Sequence, residues 1–310
     1  MRIGLIDVDG HNYPNLPLMK ISAWHKARGD HVEWYEPMFS GHMDKVYMSK
    51  VFSFTEDYQY FIDADVIEKG GSGYCIRLNE GKEVFDPDKD KQLPKEIEHI
   101  YPDYSLYNIT DTAYGFLTRG CPRGCGFCHV AAKEGRKSYK VADLNEFWRD
   151  QEKIELLDPN LLACGDAVDL LTQIKKSGAL VNFNQGLDIR FINDTKAGLL
   201  AEIDIHKIHF AWDRYEDKEQ VVPKFKKFRQ KSKIYAHDLQ VYVLCGFKEK
   251  RLLPEDLERV YWLRDNGYAP YVMLYDKENI PRGHELRRFQ RYVNNRFIFF
   301  KLKDFNEYNG

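Results

Sequence analysis

The chain lacks the features that would place it in a membrane or outside the cell. Its apolar runs fall far short of the roughly 18 residues that a membrane-spanning helix needs. The apolar run at its start is too short for a secretory signal. Its net charge of −2 provides no overall attraction to nucleic acid or to an anionic membrane surface. We therefore expect a cytoplasmic protein without a membrane partner.

Cysteine is also scarce, with six residues in a chain of 310. Six cysteines in a chain of this length do not form the disulfide framework of a small secreted domain. Three of them, Cys75, Cys164 and Cys245, are scattered, and we expect each to be a small core residue. Hydrophobic residues make up 43% of the chain, enough for one large domain or two ordinary ones.

The other three cysteines, Cys121, Cys125 and Cys128, share one short loop with the spacing C-x3-C-x2-C. Glycine and proline around them indicate an exposed, tightly shaped loop. Three thiolates can hold three irons of a [4Fe–4S] cluster and leave the fourth iron open. Two alternatives remain, inert buried thiols and a zinc site completed by His129. Zinc sites usually take their ligands from two separate turns, which favours the cluster.

This cysteine loop resembles the signature of the radical S-adenosylmethionine (radical SAM) enzymes. The resemblance implies a [4Fe–4S] cluster whose open iron binds SAM, an electron donor such as flavodoxin or ferredoxin, and reductive cleavage of SAM to a 5′-deoxyadenosyl radical. It also implies that Phe127, directly before the third cysteine, packs against the adenine of SAM. The predicted protein is an enzyme that starts C–H abstraction or methyl transfer on an unidentified substrate, so the choice between oxidoreductase and transferase stays open.

Residues 106–310 alternate between strand and helix patterns, which indicates a parallel α/β architecture. Six units of this kind match the partial (β/α)6, TIM-like barrel that the resemblance implies. The predicted strands are 113–118, 153–157, 180–183, 207–212, 239–244 and 269–274. The predicted helices are 144–151, 167–176, 195–203, 218–228, 254–266 and 284–292. Residues just past each strand end are then expected to face the site, because barrel chemistry belongs to that face.

The richest polar run follows the third of these strands and contains Gln185, Asp188 and Arg190. The planar guanidinium of Arg190 can bind the carboxylate of SAM through two hydrogen bonds. Asp188 or Gln185 can accept hydrogen bonds from the ribose or the ammonium of SAM. The alternative is that Asp188 and Arg190 pair with each other or with a helix. The Gly-Gly-Glu run that binds the ammonium in many radical SAM enzymes is absent from this chain.

Two further strand ends supply candidates. Asp158 and Asn160 follow the second strand and resemble an acidic-x-Asn run of the family, so either can line the site. Turn chemistry or a helix N-cap is the alternative for Asn160. Asp213 follows the fourth strand and is a candidate substrate-facing carboxylate.

Residues 1–105 read as a small Rossmann-like domain, with predicted strands at 2–8, 31–35 and 45–52 and a helix at 16–27. No G-x-G-x-x-G follows the first strand, so a standard dinucleotide site is not supported. The run Asp9-Gly10-His11 resembles the start of a cobalamin-binding motif, with Ser49 and Gly70-Gly71 as its later pieces, although Pro14 replaces a glycine. The resemblance makes cobalamin a candidate cofactor and His11 or Asp213 a candidate contact to cobalamin or substrate.

One local basic run contains Lys224, Lys226, Lys227, Arg229, Lys231 and Lys233, with Phe225 and Phe228 between them. Basic and aromatic residues together can bind nucleic acid, so a radical SAM nucleic-acid modifier is a further alternative. At helical spacing, however, the pattern is more typical of an amphipathic helix with both phenylalanines inward and the lysines in water.

Overall fold

The computed structural model describes residues 1–10, 13–79 and 82–310. It divides into two compact units. The first contains Met1–Gly115, Gly124–Glu134 and Leu144–Gln151, and the second contains Phe116–Arg123, Gly135–Asp143 and Glu152–Gly310. His11 lies outside the described residues, so its predicted role stays a prediction.

The first unit is built around a parallel sheet with the strand order β2-β1-β3-β4. A two-stranded antiparallel hairpin, β5-β6, follows this sheet. The elements of the unit are β1 (Arg2–Asp7), α1 (Leu16–Ala27), β2 (His31–Trp34), β3 (Met43–Ser49), β4 (Ala64–Gly70), α2 (Ser72–Cys75), β5 (Ile76–Asn79), β6 (Lys82–Phe85), α3 (Lys95–Glu98), β7 (Thr112–Gly115) and α4 (Val130–Lys133).

Apolar residues on both faces of β1 hold this sheet in place. Leu5 belongs to a cluster with Leu18 of α1, and Ile6 belongs to a second cluster formed with residues of β3. The side chain of Asn15 caps α1 by accepting a hydrogen bond from the Leu18 amide. The helix ends just before Gly29, whose φ of +80° is a conformation that glycine adopts readily. The parallel strand–helix–strand unit predicted for this region is thereby confirmed.

The second unit places five parallel strands side by side in the order β14-β13-β12-β11-β10. Helices connect successive strands, as the alternating pattern predicts. The elements are β8 (Thr118–Arg119), β9 (Tyr139–Lys140), β10 (Lys153–Leu156), α5 (Ala167–Ser177), β11 (Leu180–Leu187), α6 (Asp194–Glu202), β12 (Ile205–Ala211), α7 (Lys218–Lys231), β13 (Leu239–Cys245), α8 (Pro254–Asp265), β14 (Ala269–Leu274), α9 (Glu285–Asn294) and α10 (Arg296–Lys301).

The basic run forms the amphipathic helix α7. Phe225 and Phe228 are fully buried and meet Phe210 of β12 with ring centroids 5.9 and 5.1 Å apart. On the outer side, Lys227 reaches a carboxylate oxygen of Asp194 at 2.7 Å. The apolar side of the helix therefore anchors the sheet, which agrees with the structural interpretation of this run.

The helix predicted over 144–151 is wrong. Only Leu144–Glu146 form a single 3-10 turn. The side chain of Gln151 accepts from the Arg149 amide at 2.9 Å, and the Trp148 indole donates to the Gln151 carbonyl at 2.9 Å. These local bonds satisfy the backbone in a non-helical conformation, and such competition is not visible in the apolar periodicity.

Strand β4 was absent from the sequence prediction because both of its faces are largely exposed and its polar residues do not alternate with apolar ones. It exists because its backbone pairs with the well-buried β3. The predicted burial of Cys75, Cys164 and Cys245 is confirmed, with exposed fractions of 0, 3 and 1%. Every helix within the described residues is too short or too polar to cross a bilayer.

Candidate functional site

A buried carboxylate holds the chain that leads into the cysteine loop. Asp158, two residues past β10 and 4% exposed, accepts hydrogen bonds from the Leu117 amide at 3.1 Å and the Thr118 amide at 2.5 Å. The Thr118 hydroxyl adds a third at 2.6 Å. Burial raises the pKa of Asp158 to about 6, while the bonds from Thr118 and Leu117 oppose that rise. Asp158 is therefore an anchor for the segment just before Cys121, where the sequence predicts only a lining residue.

Asn160 lies directly against the first loop cysteine. Its side-chain amide Nδ2 is 3.3 Å from the Sγ of Cys121, and its backbone carbonyl accepts from the Ser138 hydroxyl at 2.9 Å. Asn160 precedes a 3-10 turn but makes no side-chain cap. Its Oδ1 is buried and has no hydrogen-bond partner among the described residues. A buried acceptor without a protein partner is uncommon in native proteins.

Three arginines converge on the buried carboxylate of Asp217. Arg123 reaches it at 3.2 Å, Arg190 at 3.2 Å and Arg214 at 2.7 Å. Burial acts to raise the pKa of Asp217, but the guanidinium groups of Arg214 and Arg123 outweigh it and hold that pKa below the usual range. The sequence analysis missed both Arg123 and Asp217. The available signal was charge, since Arg123 lies within the cysteine loop and Asp217 shortly follows the candidate residue Asp213.

Asp188 and Arg190 pair with each other, as the alternative interpretation predicts. The Arg190 Nε lies 2.7 Å from Asp188 Oδ1, and Nη2 lies 2.6 Å from Oδ2. Burial raises the pKa of Asp188 to about 6, while Arg123 and the Asn160 side chain oppose that rise. The guanidinium of Arg190 therefore makes a bidentate ion pair with Asp188. These two residues form one polar network with Asn160 and Asp217.

The second part of the cysteine loop belongs to the first unit. The Cys128 amide bonds to the Cys125 carbonyl at 3.1 Å in a tight turn, and helix α4 follows directly. Cys125 is half-buried and Cys128 is exposed. The His129 Nδ1 contacts the Glu83 carboxylate of β6. Within the described part of the chain, no three His, Cys, Asp or Glu side chains are grouped so as to hold a single metal ion.

The other predicted site residues occupy different environments. Gln185 is exposed and lies within β11 rather than after it, because the strand continues to Leu187 through an irregular stretch that includes Gly186 at φ +92°. Phe127 is half-buried. Asp213 is half-buried beside Arg259, whose guanidinium donates to the Asp213 carbonyl at 2.7 Å.

The face of the second sheet opposite Phe210 carries polar and aromatic residues that the sequence analysis did not single out. Asn182 and Asn184 of β11 both donate to one oxygen of Glu155 on β10, at 2.9 and 2.5 Å. His209 of β12 stacks on Tyr242 of β13 with ring centroids 5.2 Å apart and an interplanar angle of 5°. The alternation of buried apolar and polar residues along the strands was the signal that could have found this face.

We expect the stability difference between Asp213→Asn and the parent protein to depend on pH. Burial raises the pKa of Asp213 in the folded protein to about 6, from an ordinary 3.8. The stability that this group contributes is therefore present below the unfolded pKa and is lost as pH rises through about 6. The asparagine variant should be about 2 kcal/mol more stable than the parent at pH 7.5 and similar to it near pH 4. Urea unfolding at both pH values measures this, with the exposed Asp265→Asn as control. An equal difference at both pH values would contradict it.

In the first unit, the pieces that resemble a cobalamin motif are engaged in packing. The Ser49 hydroxyl accepts from the Asn15 side chain at 2.8 Å. Gly71, at φ +101°, lies so close to Lys50 that a Cβ there would stand 2.3 Å from the Lys50 carbonyl oxygen. The carboxylate of Asp9 bonds to the Val51 amide. The described residues of this motif therefore make contacts within the protein itself, and cobalamin binding stays a prediction.

Comparisons with known proteins identify the fold. No family model matches the chain, and no curated protein matches it. Among solved structures, it is similar to the radical SAM methyltransferase TsrM from Kitasatospora setae with cobalamin and a [4Fe–4S] cluster bound, with a TM-score of 0.59, 12% identity, and coverage of 88% of this chain and 74% of that one. The chain shares the fold of a radical SAM enzyme. This likeness confirms the mixed α/β fold predicted from the alternating strand and helix patterns.

A second similar structure is the cobalamin-dependent SAM radical enzyme OxsB with aqua-cobalamin and SAM bound. It has a TM-score of 0.40 and 10% identity, and the match covers 97% of this chain and 56% of that one. This overlap is too loose to support an argument.

Proposed function

We propose that the protein is a radical SAM enzyme in which Cys121, Cys125 and Cys128 hold a [4Fe–4S] cluster. The observation that carries this is the C-x3-C-x2-C loop on a chain whose fold is similar to that of a radical SAM methyltransferase. Bound there, cluster and SAM would supply the reductive cleavage that starts radical chemistry. The chemistry of the donor set fits, since thiolates are the ligands of such clusters and three of them occur at C-x3-C-x2-C spacing.

The proposal also covers the domain organisation of the chain. We propose that residues 106–310 form a partial (β/α)6 barrel and that residues 1–105 form a Rossmann-like domain. The connecting helices α5–α9 and the parallel order of β10–β14 support the first part. An electron donor such as flavodoxin or ferredoxin would reduce the cluster, and the cytoplasm would keep it reduced.

Asn160, Asp188 and Arg190, with Gln185 and Phe127, are the residues that we propose for SAM. The buried Oδ1 of Asn160 supports this, because it is an acceptor that lacks a donor and lies on the residue that contacts Cys121. The ammonium of SAM would supply such a donor where the Gly-Gly-Glu run is missing. The Arg190 guanidinium would reach an incoming carboxylate only by sharing the position held by Asp188.

The variant Asn160→Leu tests this assignment. Leucine keeps the approximate volume of the side chain and removes the unpartnered oxygen, so we expect the dissociation constant of SAM on the reconstituted protein to rise about tenfold. The unfolding free energy of the protein without cofactors should fall by only about 1 kcal/mol, because leucine removes the Nδ2 contact to the Cys121 thiol but no protein donor at Oδ1. Equilibrium dialysis and urea unfolding measure the two. An unchanged affinity would show that Asn160 has a structural role alone.

The function itself is tested by anaerobic reconstitution with iron and sulfide, followed by dithionite and SAM. Release of 5′-deoxyadenosine would support reductive cleavage, and S-adenosylhomocysteine would report methyl transfer. The same assay with hydroxocobalamin present tests whether cobalamin is a second cofactor, a possibility that the fold likeness supports. A colourless protein that holds zinc and releases neither product would overturn the proposal.

A nucleic-acid modifier and a zinc module remain the alternatives, and neither is favoured. A zinc module would need His129 as its fourth ligand, and the imidazole is engaged with Glu83 through Nδ1, which leaves Nε2 as the ligating nitrogen. The variant His129→Ala would release zinc from such a module and leave the iron content of a cluster unchanged.

A further inference from the structure

A cluster of charged side chains joins the cysteine loop to the start of helix α7. Arg123 belongs to the cysteine loop, and its guanidinium reaches the carboxylate of Asp217 at 3.2 Å. Arg190 and Arg214 reach the same carboxylate from two other segments, at 3.2 and 2.7 Å. We call this cluster the arginine network and define it by Arg123, Arg190, Arg214, Asp188 and Asp217. All five residues belong to the second unit.

Asp217 is the fixed point of the arginine network. Its side chain is only 8% exposed, and it precedes helix α7, whose Phe225 and Phe228 are fully buried. The Asp217 amide donates to the Arg214 carbonyl at 3.2 Å, and the Trp212 indole donates to the same carbonyl at 3.0 Å. The carboxylate is therefore held by a buried framework of the second sheet.

Arg123 connects this framework to the cysteine ligands. It is two residues from Cys121 and two from Cys125, and two residues of chain span at most about 7 Å. Its side chain is 16% exposed. The ion pair with Asp217 therefore ties the segment between the first two loop cysteines to the start of α7.

The arginine network contains more positive charge than one ion pair needs. Three guanidinium groups face the carboxylates of Asp188 and Asp217, so these five side chains carry one net positive charge when both carboxylates are ionised. Like charges gathered at one carboxylate repel each other, and their burial adds a desolvation cost. Surplus positive charge beside thiolate ligands suits a group that gains negative charge as it works.

We propose that Asp217 is a positioning residue for the cysteine loop and that the arginine network sets the reduction potential of the cluster. This inference rests on the proposed cluster at Cys121, Cys125 and Cys128. Reduction adds one electron to the cluster, and a positive charge nearby stabilises the added charge. A guanidinium held near the thiolates therefore raises the potential. The Asp217 carboxylate lowers it and keeps the guanidinium groups in place.

The test is a dithionite redox titration of the full-length reconstituted protein, followed by electron paramagnetic resonance. Arg123→Gln removes a positive charge, so the equilibrium constant for reduction should fall about tenfold, which is about 59 mV for one electron. Arg123→Lys keeps the charge and should keep the potential of the parent. Asp217→Asn removes a negative charge and should raise the potential by a similar amount.

Glu219→Gln is the matched control for Asp217→Asn. Glu219 is exposed in the first turn of α7, two residues beyond Asp217, so water and salt screen its charge. This variant should leave the potential unchanged. Asp217→Asn should also release iron to a chelator about tenfold faster than Glu219→Gln, because loss of a residue that supports metal ligands weakens metal binding.

Opposite shifts in Arg123→Gln and Asp217→Asn are the expected result, since a general loosening of the loop would move both potentials in one direction. Shifts of the same sign, no shift in either variant, or an equal shift in Glu219→Gln would overturn the proposal. If Asp217→Asn does not fold, the two Arg123 variants decide, and equal potentials in Arg123→Gln and Arg123→Lys would overturn it. A parent protein that holds no iron would overturn the cluster proposal as well, whereas loaded variants with unshifted potentials would overturn this inference alone.

Discussion

Replacing Asp158 by alanine is expected to lower the free energy of unfolding by about 3 kcal/mol and to prevent stable cluster loading. The substitution leaves the buried amides of Leu117 and Thr118 without their acceptor. Each such group costs about 1–3 kcal/mol when unpaired, and relief of the buried carboxylate offsets part of the total. Because this segment leads directly to Cys121, the cysteine loop loses its fixed starting point. Urea unfolding and iron content after reconstitution measure the two effects.

A matched control separates anchoring from the loss of any carboxylate. Asp143 is 45% exposed and pairs with Lys140 at 2.6 Å, so Asp143→Ala should change the unfolding free energy by less than about 1 kcal/mol. Asp158→Asn keeps an acceptor oxygen, so its free energy of unfolding should lie between those of Asp158→Ala and Asp143→Ala. If Asp158→Ala unfolded at the same urea concentration as Asp143→Ala, the anchoring role would be wrong.

The variant Cys125→Ala is expected to lose the cluster and all deoxyadenosine production. Two thiols would remain for a cluster that needs three protein ligands, so the iron content should fall from about four per chain to below about one. The measurement is iron and sulfide analysis together with the visible absorbance of the reconstituted protein. Since Cys125 is half-buried in a surface loop, the fold should survive the change.

Cys245→Ala is the control for this prediction. Cys245 is 1% exposed at the end of β13, and burial raises its thiol pKa far above the ordinary value, so it is an inert core residue. This variant should keep the iron content of the parent. Equal iron in both variants would refute the assignment of the loop, and loss of one zinc ion without iron from Cys125→Ala would support the zinc alternative.

The sequence predicted the elements whose apolar pattern is strong. Helix α1 has its predicted bounds, and so does β14, because each carries several buried apolar residues. The cysteine loop needed only its spacing to be recognised, since ligand chemistry is local in the chain. The helix expected at 144–151 and the missed strand β4 show the limit, because side-chain bonds to the backbone and pairing with a neighbouring strand decide those segments.

The candidate site shows the same division. The residue types at the strand ends of the second unit could be read from the chain, and Asn160, Asp188 and Arg190 do meet in one network. The residues that these side chains contact could not be predicted from the sequence. Asp217 lies 27 residues beyond Arg190 in sequence, yet it gathers three guanidinium groups because the end of β12 and the start of α7 bring it to the same place.

The sequence by itself therefore determined the kind of chemistry, through three thiols at a spacing suited to iron, and the α/β class, through apolar periods of two and 3.6. Only the tertiary structure decided which polar groups are satisfied and which are open. It pairs Asp188 with Arg190, holds Asp158 against the backbone amides before Cys121, and leaves the Asn160 oxygen without a hydrogen-bond partner among the described residues. The physical reason is that hydrogen bonding and burial depend on distances between strands and loops far apart in the chain, which periodicity does not encode.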